Sequence, residues 1–253
     1  MSDPLILITN DDGYDAPGLV ALFEAVRDLG DVRVVAPRRE RSACSHMITM
    51  HESIVVERIR HEPFGEVFTV TGTPADCVRL AAVEILPRRP DLVLSGINRG
   101  ANAGVDVYYS GTVAAAREGA ILGLPSIALS HAVRNGQSLN WSAASRVAAH
   151  LVGLLRERRL PCPGFWSVNL PPVIPEDFRS RLHFVPASIV PMPLDFERVD
   201  HPDGRTTEFR YGAYYWDRET HQNEDFTVIR NGGIAISAIA LAAPIRIERD
   251  AAG

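Results

Sequence analysis

Residues 5–36 read LILITNDDGYDAPGLVALFEAVRDLGDVRVVA. Leu5-Ile6-Leu7-Ile8-Thr9 is a nearly continuous apolar run, bounded by Pro4 and by the polar Asn10-Asp11-Asp12-Gly13. A strand without polar alternation is buried on both faces, as in a parallel sheet covered by helices. From Leu19 onward, Leu19, Leu22, Phe23, Val26 and Leu29 follow helical spacing. Val32-Arg33-Val34-Val35-Ala36 then reads as a second strand. Strand, amphipathic helix and strand within about thirty residues form one right-handed βαβ unit, so the two strands are expected to be parallel.

The pattern continues outward from this unit. A helix carries Val78, Ala81, Ala82 and Ile85, followed by the strand Leu92-Val93-Leu94-Ser95, a helix from about Thr112 to Ile121, and the strand Ser126-Ile127-Ala128-Leu129. A further helix through Ala144, Val147, Ala148, Leu151, Val152 and Leu155 leads to the strand Phe165–Leu170, which Pro171-Pro172 closes. Alternation of this kind predicts a doubly wound α/β sheet. Ile48 to Ile59 and Val67 to Val70 read as added strands. After Pro172 no amphipathic helix is expected. Thr206 to Trp216 and Phe226 to Ile229 read as an antiparallel excursion, and Gly233 to Leu241 as a late strand.

The chain has 253 residues, 46% hydrophobic and 23% charged, enough for a sizeable core. A net charge of -5 argues against a surface that neutralises a long nucleic acid. Met1-Ser2-Asp3-Pro4 lacks the basic start of a secretory signal. The longest apolar run, Ile234 to Ala243, is about half of the roughly 20 residues that span a bilayer. A cytoplasmic protein without a membrane partner is expected. Cys44, Cys77 and Cys162 are too far apart for zinc or redox motifs and read as incidental thiols.

In an open parallel sheet, ligands bind beyond the carboxyl ends of the strands. Asn10, Asp11 and Asp12 follow the first strand, Ser42 lies in the stretch after the second, and Asn98 follows Leu92 to Ser95. Alone, Asp11-Asp12-Gly13 reads as a turn, and Ser42 and Asn98 as loop residues. Together they form a hard oxygen-donor set suited to magnesium, manganese or calcium rather than zinc. Adjacent carboxylates at the mouth of an apolar strand repel each other unless a cation offsets them. Their adjacency also departs from the Asp-x-Asp spacing of phosphatases that form a phosphoaspartate.

Ser95 to Thr112 forms a second constellation. Gly96, Gly100 and Gly104 permit close backbone approach, and Ser110-Gly111-Thr112 opens a helix whose free amides attract an anion. In isolation the same residues read as a glycine-bearing loop with an ordinary helix cap. Beside a metal site they fit phosphoester hydrolysis by metal-activated water. His46 reads as a solvent-exposed loop histidine or as a donor to the leaving group, and Arg99 as a phosphate partner outside the catalytic set.

Five ordered blocks carry a resemblance to a known family: Ile8-Thr9-Asn10-Asp11-Asp12-Gly13 with Ala16-Pro17-Gly18; Val34-Val35-Ala36-Pro37 with Arg41-Ser42; Gly72-Thr73-Pro74-Ala75-Asp76-Cys77-Val78; Ser95-Gly96-Ile97-Asn98-Arg99-Gly100-Ala101-Asn102; and Tyr109-Ser110-Gly111-Thr112-Val113. On these the chain resembles the survival protein SurE family of metal-dependent nucleotidases. The resemblance implies a Rossmann-like three-layer core with a mostly parallel sheet and a projecting β-hairpin. A single domain over residues 1–253 is expected, with its core at about 1–170 and 232–243 and an excursion at about 172–231. The implied metal ligands are Asp11, Asp12, Ser42 and Asn98, with Asp11, Asp12 and Asn98 also catalytic. Asn102, Ser110, Gly111 and Thr112 would hold phosphate. One divalent cation per subunit is implied, magnesium or manganese, with calcium as a stand-in. The implied substrates are nucleoside 5'- and 3'-monophosphates, and the implied assembly is a homodimer or homotetramer. A phosphatase for another phosphorylated metabolite or polyphosphate, and a non-catalytic nucleotide-binding regulator, are the alternatives. His46 stands where the family usually has asparagine, Val105 where it often has an acidic residue, and the C-terminus stops short of a terminal helix found in many relatives.

Overall fold

The structure is a computed structural model that describes residues 3–134, 137–161 and 163–241. The opening stretch folds as β1 (Leu5–Thr9), α1 (Pro17–Val26) and β2 (Asp31–Pro37), with β1 and β2 parallel. A hairpin of β3 (Val56–His61) and β4 (Gly65–Val70) follows. Next come α2 (Pro74–Leu80), β5 (Leu92–Arg99), α3 (Gly111–Ile121), β6 (Ser126–His131), α4 (Trp141–Leu155) and β7 (Gly164–Leu170). The remainder holds β8 (Leu182–Phe184), β9 (Phe196–Asp200), β10 (Thr207–Tyr211), α5 (Asp225–Arg230) and β11 (Ile234–Ala240).

Nine strands form one sheet in the order β3-β4-β2-β1-β5-β6-β7-β11-β8, and β9 and β10 pair as a separate antiparallel hairpin. From β4 through β7 all neighbours are parallel, while β3 runs antiparallel to β4 and β11 runs antiparallel to β7 and parallel to β8. The apolar run of β1 serves both faces, because side chains alternate along a strand. Ile6 and Ile8 pack with Leu19, Leu22, Val147 and Leu151 of α1 and α4, whereas Leu7 packs with Cys77, Val78 and Ala115 of α2 and α3. Each such fully buried aliphatic side chain contributes about 1.5–3 kcal/mol. With β2 on one side of β1 and β5 on the other, the chain reverses its direction of progress across the sheet at β1. That switch point opens a crevice beyond the strand ends.

The α/β class and mostly parallel sheet match the expectation from sequence, and three details differ. Ile48 to Val55 is not a strand. Asp76 accepts from the Thr49 backbone and hydroxyl, and the Thr73 hydroxyl donates to the Met47 carbonyl, so side chains occupy groups that a ladder would need. Phe226 to Ile229 is helical: Phe226 and Ile229, one turn apart, both bury against Trp216, Ala103 and Ala132. Trp216 itself belongs to a short 3-10 turn, Tyr215–Asp217, and its indole N–H donates to the Val133 carbonyl at 2.9 Å. Cys77 is buried and Cys44 half-buried. Cys162, residues 242–243 of the expected core and the short C-terminus lie outside the described residues. No helix among the described residues is long and apolar enough to cross a membrane.

Leu94 is fully buried at the centre of β5. Leu94→Ala should cost about 2–5 kcal/mol of unfolding free energy, the usual range for a core leucine. Urea denaturation measures it, and a loss below about 1 kcal/mol would show that the two layers meet less tightly than described.

Candidate active site

Loops from three strand ends converge at β1. The Arg41 amide donates to the Asp11 carbonyl at 2.7 Å, which docks the loop bearing Ser42. The Arg99 amide donates to Asp12 Oδ2 at 3.2 Å, which fixes the end of β5 next to Asn98. The resulting cleft, about 730 Å³, is lined by Asp11, Asp12, Ser42, Asn98, Asn102 and Ser110 among others. Asn10 turns back on its own loop and bonds Gly13 through both ends of its carboxamide.

Asp11 is 3% exposed, and burial pushes its carboxyl up to about 6; the Thr112 hydroxyl pulls it down and the neighbouring Asp12 charge pushes it further up. Burial also raises Asp12, with Glu40 adding repulsion and Arg99 opposing it. Asp15, Glu40 and Asp106 line the same cleft, where among the described residues Arg99 is the one Lys, Arg or His side chain. So acidic a cleft attracts a cation. The donors fit a hard divalent ion. The Ser42 hydroxyl donates to Glu40 at 2.7 Å and keeps lone pairs free, and the Asn98 amide nitrogen donates to the Gly100 carbonyl at 2.9 Å, leaving its oxygen available. Among the described residues no three His, Cys, Asp or Glu side chains form a metal cluster. This set would instead pair two carboxylates with two neutral oxygens.

The start of α3 abuts the carboxylates. A Cβ on Gly111 would lie 2.8 Å from the Asp11 Cβ and 2.9 Å from its Oδ2, so only glycine lets the helix approach this closely. The Ser110 side chain caps α3 by accepting from the Val113 amide at 3.1 Å. Buried Thr112 donates its hydroxyl to Asp11 Oδ1. The Asn102 amide nitrogen donates to Ser130 Oγ at 2.8 Å, while its backbone amide donates to Asn169 Oδ1 at 2.8 Å. Gly100 lines the cleft, whereas Gly96 lies under the Leu129 carbonyl and Gly104 against Ser188.

Three residues tied to this region escape a strand-end reading. Buried Glu118 on α3 accepts from Arg79 at 2.9 Å and pairs with His46 Nε2 at 2.8 Å. His46 is therefore part-buried and paired rather than a solvated loop residue, and neither it nor Val105 lines the cleft. Asp106 lines the cleft and is bonded from behind by Arg218 and Tyr215. The one sequence signal for Asp106 is a carboxylate set between Val105 and Val107.

The chain is similar to known proteins over most of its length. The family described as "Survival protein SurE" matches residues 6–186. The "5'-nucleotidase SurE" of Geotalea daltonii is 40% identical over 243 residues, covering 93% of this chain and 92% of that protein. The "5'-nucleotidase SurE" of Moorella thermoacetica is 38% identical over 244 residues, covering 94% and 90%. The crystal structure of the SurE protein from Aquifex aeolicus superposes with a TM-score of 0.82 at 33% identity, covering 95% of each chain.

Behind the cleft, His131 is wholly buried at the end of β6, edge-on to Trp141. Its ring nitrogens face the Pro171 and Pro172 carbonyls without completing a hydrogen bond, and burial lowers its pKa to about 4. An unfolded histidine titrates near about 6.5. The unfolded state therefore takes up the proton first, and stability falls as pH drops from about 6.5 to about 4. The loss is on the order of 3 kcal/mol. His131→Leu should lack this component, so its stability should fall less over that window. Identical pH slopes in wild type and variant would show that the ring is solvated.

Proposed function

This chain belongs to the SurE family, and on that premise we propose that it is a 5'-nucleotidase, a phosphoric monoester hydrolase that releases phosphate from nucleoside monophosphates. The observation that carries the reading is the pair of buried Asp11 and half-buried Asp12, set in an acidic cleft against the helix start that begins at Ser110. The reading includes 3'-monophosphates, dependence on one magnesium or manganese ion per chain, and assembly as a dimer or tetramer. Support for assembly comes from the β9–β10 hairpin, which leaves Phe196, Phe209 and Tyr211 exposed.

In this reading Asp11 and Asp12 anchor the cation, and Ser42 and Asn98 complete its protein shell. A divalent ion held there would supply Lewis-acid polarisation of a phosphoryl oxygen and a water of lowered pKa. Thr112 orients Asp11 by donating its hydroxyl to Oδ1. The Ser110 hydroxyl and Gly111 amide face the phosphoryl oxygens, where the helix end favours negative charge. Asn102, held by Ser130 and Asn169, fixes the wall beside them. The nucleoside lies against the apolar lining residues Trp141 and Met192.

Asp12→Asn should lower kcat for a nucleoside monophosphate at least about 100-fold, the several kcal/mol that a catalytic metal contributes. Its thermal melting should change little. Phosphate release at the wild-type rate by the folded variant, with magnesium or manganese supplied, would refute the assignment.

A further inference from the structure

Arg218 lies in the segment between β10 and α5 and is among the largest side chains with no solvent exposure. We propose that Arg218 is a positioning residue for phosphate recognition: it neutralises the cleft-lining Asp106 carboxylate from behind, so that the wall beside the start of α3 accepts a dianion. The inference rests on the nucleotidase reading and deepens it by naming the residue that makes this wall tolerate phosphate.

The contacts occupy both oxygens of Asp106. Arg218 Nη2 donates to Oδ1, and the Tyr215 hydroxyl donates to Oδ2 at 2.9 Å. Arg218 Nη1 donates to the Ala103 carbonyl at 3.0 Å, and the guanidinium lies 5.0 Å from the Tyr215 ring centroid and 5.1 Å from that of Phe226. Asp106 is also part of the backbone that leads into the phosphate-binding helix, because its carbonyl accepts from the Tyr109 and Ser110 amides at 2.9 and 3.0 Å. Asp225 clamps the same turn, accepting from the Gly104 amide at 2.6 Å and from the Ser188 amide at 2.9 Å.

Stability alone gives a weak reason for this arrangement. A buried ion pair is often no better than apolar side chains of the same volume, and here the Arg218 Nε has no partner, a further cost. Electrostatics at the cleft gives a stronger one. Among the described residues five carboxylates line the cleft, from Asp11, Asp12, Asp15, Glu40 and Asp106, against the single cation Arg99. In the nucleotidase reading the bound metal offsets Asp11 and Asp12. Asp106 stands apart from that pair, on the turn before Ser110, and has its countercharge built into the protein. Without it, a carboxylate in a low-dielectric wall would repel the incoming phosphoryl group.

Binding of inorganic phosphate and of adenosine to the full chain in magnesium tests this, with melting curves for each variant. Arg218→Met should weaken phosphate binding by about tenfold or more and leave the uncharged adenosine nearly unaffected. Adding Asp106→Asn should restore phosphate binding to within about twofold of wild type. Asp106→Asn alone leaves the guanidinium unopposed and should tighten phosphate binding. That single variant decides the matter if Arg218→Met fails to fold. Equal losses for phosphate and adenosine in Arg218→Met, or unchanged or weaker phosphate binding in Asp106→Asn, would overturn the inference while the nucleotidase reading stands. A wild-type chain that neither binds phosphate nor releases it from any nucleotide would overturn both.

Discussion

Asp11 and Asp12 sit side by side at the carboxyl end of β1, where burial raises both carboxyls and the Asp12 charge adds to the cost of ionising Asp11. The sheet imposes this cost. A strand apolar on both faces has to run through the centre, and its end then delivers the next side chains into the switch-point crevice. Much of the surroundings manages the consequence. Thr112 donates to one carboxylate and the Arg99 amide to the other, while Gly111 lets α3 come within van der Waals distance. None of these supplies a full positive charge to Asp11, and a divalent ion would.

The loop carrying Ser42 is held from several directions. Arg41 ties it to β1, Ser45 to the Tyr108 and Tyr109 carbonyls, His46 to Glu118, and Thr49 to Asp76. Side chains thus take the place of a strand ladder and fix an irregular segment against two helices. Ser42 itself stays exposed, free to meet a ligand in the cleft. From the other side, Arg218 and Asp225 secure the turn that precedes α3. The segment after Pro172 therefore supports the site as well as covering it.

The fold was legible wherever a period had room to repeat. Four apolar residues in β1, closed by Thr9, and a spaced face over α1 sufficed to fix the βαβ unit, and the oxygen donors after three strands followed from it. Short elements were not legible. β8 has three residues and α5 six, too few for a strand or helix period to show. Phe226 to Ile229 has strand-like residues, yet burial of Phe226 and Ile229 together requires one helical turn. The Asp106–Arg218 and His46–Glu118 pairs join positions 112 and 72 residues apart, and no local pattern encodes such distances. Thr112 was legible as part of a helix start, but its commitment to Asp11 depends on how α3 meets β1.

Direct titration of the metal-free chain with manganese tests the proposed role of the Asp11-Asp12 pair as a cation anchor without reference to turnover. One tightly held ion per chain is expected, visible as loss of the free-ion paramagnetic signal, and no such binding when both aspartates are replaced by asparagine. Undiminished binding in that double variant, or none in the wild type with or without phosphate, would contradict it.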